Sequence, residues 1–298
     1  MLLRHAPAAA VALSALALAA CRTEKPASDA AASDSTSASA VASPASLSFV
    51  TITASDFKFE APAEIPAGYA TFRLVNKGPS IHHVQLVKLE DGKTADDFIA
   101  ALKAGGPPPR WATMAGGPNP PEVGDTASAT ISLQPGSYAM VCFIPSADGV
   151  PHLMKGMVRP LKVTSAQTGA AEPAAQSVMK LVDYDFQLSG PLPAGRSTIR
   201  IENAGAQPHE VAIVRLNPGK KPMDFAEWGE RQVGPAPGTL AGGVSAIMPG
   251  TSVFVNVDLT PGEYGLICFI PDMKDGKGHY HHGMAKKIGV AGDGGPVS

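Results

Sequence analysis

The chain has 298 residues, enough for two domains of ordinary size, and 24 Lys+Arg stand against 26 Asp+Glu for a formal net charge of −2. That balance supplies neither a basic field for nucleic acid nor a strongly acidic face, so no nucleic-acid partner is expected. Charged residues make up 17% and aromatics 6%, while 31 Gly and 28 Pro punctuate the chain, a composition that suits many short strands better than long helices.

In chain order, residues 1–20 hold Arg4 and His5 followed by an apolar run that is too short to span a bilayer. They read as a signal peptide. The run ends in Leu18-Ala19-Ala20-Cys21, which resembles a bacterial lipoprotein lipobox. The resemblance implies cleavage before Cys21, lipid on Cys21, export, and a lipid anchor facing the periplasm. Arg22 rather than Asp after the Cys points to the outer membrane. Residues 21–46 continue as an Ala/Ser-rich stretch almost free of bulky apolar side chains. Such a stretch cannot bury enough surface to offset its ordering entropy, so a flexible tether is expected.

From Leu47 onward the chain repeats itself. Asn76–His82 (NKGPSIH) returns as Asn203–His209 (NAGAQPH), and Asp56–Phe59 (DFKF) returns as Asp183–Phe186 (DYDF). Gly116-Gly117 returns as Gly242-Gly243, and Gln134–Tyr138 (QPGSY) as Thr260–Tyr264 (TPGEY). A near-constant offset over this length predicts two homologous domains, 47–164 and 178–291, joined by a small, polar, Pro-containing linker, 165–177. In the first copy, LSFVTITA, YATFRLVN, HHVQLVKL, TASATISL, SYAMVCF and MVRPLKV read as strands. In the second, STIRIEN, HEVAIVRL, TSVFVNVDL, EYGLICF and MAKKIGV do so. Short alternating runs between Gly/Pro turns predict an all-β fold, two tandem Greek-key β-sandwiches. Each has one short helical insertion. TADDFIAALKAG starts with Thr94 as N-cap and Asp97 three residues on, and PMDFAEWGE is its less regular counterpart. Trp111 and Trp228, near these insertions, are expected to pack.

Each copy then offers the same chemistry-bearing set: His82, Cys142, His152 and Met157, then His209, Cys268, His279 and Met284. Two imidazoles, a thiolate and a weak thioether suit a blue-copper electron-transfer site, because soft sulfur favours Cu(I) while imidazole accepts both oxidation states. An inter-domain disulfide between Cys142 and Cys268 is the competing use of the same thiols.

On these residues the chain resembles two tandem cupredoxins (type 1 blue copper domains). The family assigns the early His, the Cys, the later His and the Met as copper ligands, which implies those eight residues and two coppers per chain. The family usually places Asn after the first His. Here that position is His83 in one copy and Glu210 in the other, so His83 competes with His82, although the repeat aligns His82 with His209. His281 and His282 crowd the second site, either facing solvent or holding a second metal.

The expected role is a tethered carrier of single electrons serving redox partner proteins, with the exposed edge of His152 or His279 as the exit. Alternatives are copper storage, delivery or tolerance, or a metal-free binding module. No enzyme is expected, since no His flanks Cys142 or Cys268 and only His279 and His281 form a His-x-His pair. The rim around His152 is apolar (Val150, Pro151, Leu153, Met154) and that around His279 is charged (Asp272, Lys274, Asp275, Lys277), which predicts different partners for the two mouths.

Overall fold

The computed structural model describes residues 47–292. Signal peptide, Cys21 and tether, as read from the sequence, lie outside the described residues. No helix among the described residues is long and apolar enough to cross a membrane.

The first copy comprises β1 (Ser48–Ser55), β2 (Lys58–Glu60), β3 (Glu64–Asn76), β4 (Gln85–Leu89), α1 (Ala95–Lys103), β5 (Ala112–Met114), β6 (Thr126–Leu133), β7 (Gly136–Val141) and β8 (Val158–Gln167). The second comprises β9 (Ser177–Val182), β10 (Asp185–Leu188), β11 (Gly195–Asn203), β12 (His209–Leu216), α2 (Pro222–Arg231), β13 (Gly238–Ile247), β14 (Ser252–Leu259), β15 (Gly262–Ile267) and β16 (Ala285–Val290). The fold is all-β with one α-helix per copy. β8 runs to Gln167, inside the segment 165–177.

Alternation sets the faces. Val50, Ile52 and Ala54 of β1 point into the core while Phe49 stands exposed. β7 is different, because both of its faces are covered. Tyr138 and Met140 point into the main core, and Ala139 and Val141 pack with Phe98 of α1. A strand buried on both sides reads as a continuous apolar run rather than an alternating one. Thr94 caps α1 as the sequence predicts: its Oγ1 accepts from Asp97 N at 3.1 Å, and Asp97 Oδ2 accepts from Thr94 N at 2.9 Å. Trp111 packs against Phe98, and Trp228 against Phe225.

Long β3 serves two sheets. Its first residues pair with β8 and its remainder with β1 and β6. The sheet that starts β10-β9-β11-β14 continues without a break through β6 and β3 of the first copy, because β14 pairs antiparallel with β6. Matched pairs there are Phe254–Thr130, Val255–Ala129 and Asn256–Ser128. With the repeat offset, the first and last are images of each other and Val255–Ala129 is its own image. A second seam obeys the same rule: Ala115 bridges Ile247, Pro121 bridges Ala241, and Pro118 faces its own counterpart Val244. The two copies are therefore related by a pseudo-twofold, with an isologous interface inside one chain. Their inner faces contribute to one contiguous core cluster.

At the second seam, side chains repeat the symmetry. Asn119 Nδ2 donates to Val211 O at 2.9 Å, and Ser245 Oγ donates to Val84 O at 2.8 Å. Gly117 and Gly243, with φ of 148° and 124°, occupy matching points where an added Cβ would lie 1.9 Å from Val84 O or 2.0 Å from Val211 O. Only glycine permits that approach.

In both copies a buried Tyr closes the turn before the Cys strand: Tyr138 OH donates to Gln134 O, and Tyr264 OH to Thr260 O, each at 2.9 Å. Tyr264→Phe is expected to lower stability by about 1–2 kcal/mol in urea denaturation, the cost of one hydrogen bond with its acceptor left in place. An unchanged midpoint would show that this hydroxyl contributes nothing.

Candidate metal centres

Each site begins with a pinned loop. After β3, Gly78 N donates to Asn76 Oδ1 and Asn76 Nδ2 donates to Ser80 O. Gly205, Asn203 and Gln207 repeat the arrangement after β11. The loop delivers His82 and His209, both fully buried. Their outer nitrogens meet carboxylates: His82 Nε2 lies 2.8 Å from Asp56 Oδ1, and His209 Nε2 lies 2.6 Å from Asp183 Oδ1. A Cβ on Gly78 would sit 2.6 Å from His82 Nε2, and one on Gly205 2.5 Å from His209 Nε2. The Asn-x-Gly spacing thus clears room for an Asp–His pair. Neither Asp was assigned a role from the sequence, although the repeated Asp-aromatic-x-Phe phrase marked both positions.

The inner nitrogens converge. His82 Nδ1 lies 3.1 Å from His152 Nδ1, and Cys142 Sγ lies 3.6 Å from His152 Nδ1. In the second copy the distances are 3.0 Å for His209 to His279 and 3.4 Å for Cys268 to His279. In each trio the donor atoms all lie within 4.8 Å of one another. The Cys follows the end of β7 or β15, and the second His opens a short 3₁₀ turn, His152–Lys155 or His279–His282. Backbone bonds hold that turn over the Cys: Leu153 N donates to Cys142 O, and Met157 N to His152 O. Tyr280, Cys268, Met284 and His279 repeat this. Met157 and Met284 are fully buried in the same core cluster as Cys142 and Cys268.

The competition between His82 and His83 resolves geometrically. It is His82 that faces Cys142 and His152. His83 is turned away, and its Nε2 accepts from Phe143 N at 2.9 Å. Glu210 Oε1 accepts from Phe269 N at 3.0 Å, so both residues brace the chain just past the Cys. Cys142 and Cys268 are free and buried, each within its own trio, and the disulfide alternative is not formed.

Two further expectations change. Neither exit imidazole is exposed: His152 and His279 are 1% and 0% accessible. Phe57 stands edge-on to His152 at 5.0 Å and Tyr184 edge-on to His279 at 5.5 Å, so aromatic rings from the loops after β1 and β9 cover them. Of the crowded histidines, His281 stacks on Tyr280 and His282 Nε2 lies 3.2 Å from Asp275 Oδ1. Asp272, Asp275 and His282 form a further group that adjoins the second trio, since buried Asp272 Oδ2 lies 3.8 Å from His279 Nε2.

Burial governs the electrostatics. It lowers His83, His152 and His279 to about 4, and it lowers His82 and His209 despite their Asp partners. It pushes Cys142 up to about 12 and raises Cys268, where nearby Glu210 adds to the effect. Glu210 itself is raised to about 7 by burial. Neutral imidazoles beside a thiol that burial keeps protonated form a donor set that fits a metal cation, since a bound metal deprotonates the thiol. Two nitrogens and a sulfur, with the outer nitrogen of one imidazole on a carboxylate, fit copper.

No family model matches the chain, and no curated protein matches it. Solved structures do. An auracyanin from the photosynthetic bacterium Roseiflexus castenholzii is 22% identical, with 40% of this chain and 98% of that chain covered and a TM-score of 0.29. Auracyanin A, a "blue" copper protein from Chloroflexus aurantiacus, is 23% identical over 39% of this chain and 99% of its own, at a TM-score of 0.27. A blue copper oxidase from Nitrosomonas europaea is 15% identical over 81% of this chain and 85% of its own, at a TM-score of 0.25. This last finding corrects the expectation that the chain is no enzyme, because the similar structures include multicopper oxidases, which are enzymes.

The pKa directions set opposing pH slopes in metal-free protein. The histidines held down to about 4 contribute stability above their ordinary 6.5 that is lost as pH falls toward 4. Glu210, raised from 4.5 to about 7, contributes stability below 4.5 that is lost as pH rises through 7. Glu210→Gln should therefore stabilise the metal-free protein at pH 8 by up to about 3 kcal/mol and have little effect below pH 4.5. Equal effects at both pH values in urea denaturation would contradict the assignment.

Proposed function

We propose that the protein binds one copper in each repeat and passes single electrons to and from redox partner proteins while anchored by lipid on Cys21 to the bacterial envelope. The observation that carries this reading is the duplicated, buried His–Cys–His trio with its carboxylate behind the first imidazole. Bound copper would supply a Cu(I)/Cu(II) couple. The ligands would be His82, Cys142, His152 and Met157 in the first repeat and His209, Cys268, His279 and Met284 in the second.

The chain's own residues do the rest. Asp56 and Asp183 fix the ring orientation and tautomer of His82 and His209, turning Nδ1 inward. The amide of Glu210 donates to Cys268 Sγ at 3.4 Å, which moderates negative charge on sulfur. Full burial of the donors excludes water and holds them in one arrangement for both oxidation states. Phe57 and Tyr184 are the aromatic surfaces next to the second imidazoles, and partners would dock over them. Leu153 and Asp272 are buried, but Val150, Pro151 and Met154 on one side and Lys274, Asp275 and Lys277 on the other still support different partners, and swapping the two loops tests that.

A second reading, copper delivery, has one supporting observation: exposed Met273, at 78% accessibility, lies in the same loop as the His281 and His282 end of the second site. Release of Cu(I) to an acceptor, without redox cycling by a partner, would favour it.

The first experiment is copper titration of a soluble form starting near Leu47, with metal analysis and a visible spectrum. The expected result is two coppers per chain with an intense thiolate-to-copper band, falling to one copper and about half the band in Cys142→Ser or Cys268→Ser. Absence of both copper and colour, with free thiols confirmed, would overturn the proposal.

A further inference from the structure

The two mouths differ in where they place positive charge. In the first repeat, Lys155 Nζ lies 2.7 Å from Asp148 Oδ2 and sits over the Phe57 ring at 5.1 Å. The repeat puts His282, Asp275 and Tyr184 at the equivalent points of the second. There His282 Nε2 lies 3.2 Å from Asp275 Oδ1, and the His282 ring lies 5.1 Å from that of Tyr184. An imidazole, which can bind a metal once neutral, stands where the first repeat has an ammonium that cannot. Asp272 likewise stands where the first repeat has Ser146, at the same distance past the Cys. The backbone agrees with that match: Ser146 N donates to Val150 O, and Asp272 N to Lys277 O, each closing the loop before the second His. The second mouth therefore has one carboxylate more and one fixed cation fewer than the first.

The geometry gathers these groups. Asp272, Asp275 and His282 each bring one donor atom to a cluster in which all lie within 4.8 Å of one another. Tyr184 OH and Gln207 Nε2 donate to Asp272 Oδ2, and the amides of Lys274 and Asp275 donate to its Oδ1. Such bonds orient a carboxylate and keep it ionised, as outer partners do for carboxylates that ligate metals. Among the described residues, no Lys or Arg side chain pairs with Asp272 or Asp275; their side-chain partners of opposite charge type are His279 and His282 alone. His279 supplies an independent sign. Its Nδ1 faces the trio, while its Nε2 is buried, has no hydrogen-bond partner and lies 3.8 Å from Asp272 Oδ2. That separation is too long for a hydrogen bond, yet one ion could bond both atoms at about 2.0–2.2 Å each. A buried nitrogen left without a partner is costly, and a cation between it and the carboxylate would remove that cost.

We propose that Asp272, Asp275 and His282, with His279 Nε2 on the buried side, form a third metal site, additional to the two His–Cys–His trios, that takes a divalent cation of the zinc class. Carboxylate and imidazole donors without a thiolate suit Zn²⁺. The ion occupies the place that the Lys155 ammonium holds in the first repeat. It ties the loop between Cys268 and His279 to the 3₁₀ turn His279–His282. The first mouth thus carries its cation in the sequence, and the second carries one only when the metal is bound. The site stands on its own donors and does not require copper in either trio.

The test is titration of the purified, metal-free protein with Zn²⁺, read as zinc bound per chain and as the ring-nitrogen NMR resonances of the histidines. Two variants install the residues of the first repeat, Asp272→Ser and His282→Lys. The expected result is a zinc-dependent shift of the His282 resonance, with each variant holding one zinc fewer per chain or holding it at least roughly tenfold more weakly. Asp148→Asn, at the equivalent point of the first repeat, is expected to leave zinc binding unchanged. Zinc taken by the trios contributes alike to wild type and variants. The resonance shift is read on wild-type protein, so it decides the matter even where a variant fails to fold. A His282 resonance unmoved by zinc, equal zinc binding by wild type and both variants, or an equal loss in Asp148→Asn would overturn the site. Trios that take up no copper would sink the copper reading and leave this result standing.

Discussion

The contact on which each site depends is the bond between an imidazole and a carboxylate, His82 with Asp56 and His209 with Asp183. Burying an imidazole without a partner for both nitrogens is costly, and a free ring would choose its own tautomer. The carboxylate occupies the outer nitrogen and commits the inner one to the centre of the site. Much else follows as a condition of that bond. The loop must carry glycine where the two groups pass, an asparagine must pin the loop, and the strand bearing the Asp must end beside it. Conserving the geometry twice in one chain requires all of these twice, and the structure has them.

Much of this was legible from residues alone. The Cys strand, the helix cap at Thr94 and the paired donor sets follow from local pattern, because period, capping and spacing are properties of neighbouring residues. Asp56 was visible only as part of a repeated phrase, since its partner lies 26 residues away and nothing local marks the pairing. The role of His83 was undecidable in the same way: two adjacent histidines point to opposite sides of a strand entrance, and only the position of Phe143 N shows which is which. The burial of His152 and His279 was missed because the rings that cover them arrive from the other sheet of each sandwich. The seam between copies was also invisible, because its strand pairing and its Asn119, Ser245 and glycine contacts join residues far apart in the chain.

Placing His83 and Glu210 at equivalent points makes the repeats chemically unequal where they are geometrically alike. A neutral ring braces one Cys loop and a carboxyl group braces the other. The difference lies behind the sulfur rather than at the mouth, in a region where water does not screen it. Equal donor sets can therefore sit in unequal electrical surroundings without any change of fold, and the differing rims add a second inequality at the surface. Similarity of backbone and divergence of environment are compatible because the braces need only one acceptor atom each.

The self-complementary pairing of β6 with β14 has a consequence for either half taken alone. Half of the molecule on its own would present that strand as a bare edge, and the partner that best fits it is another identical half, aligned through the residue at the axis. The architecture reproduces within one chain the self-complementary contact of a symmetric dimer. Because both halves belong to one chain, the same place can hold a histidine in one and a glutamate in the other, as His83 and Glu210 do.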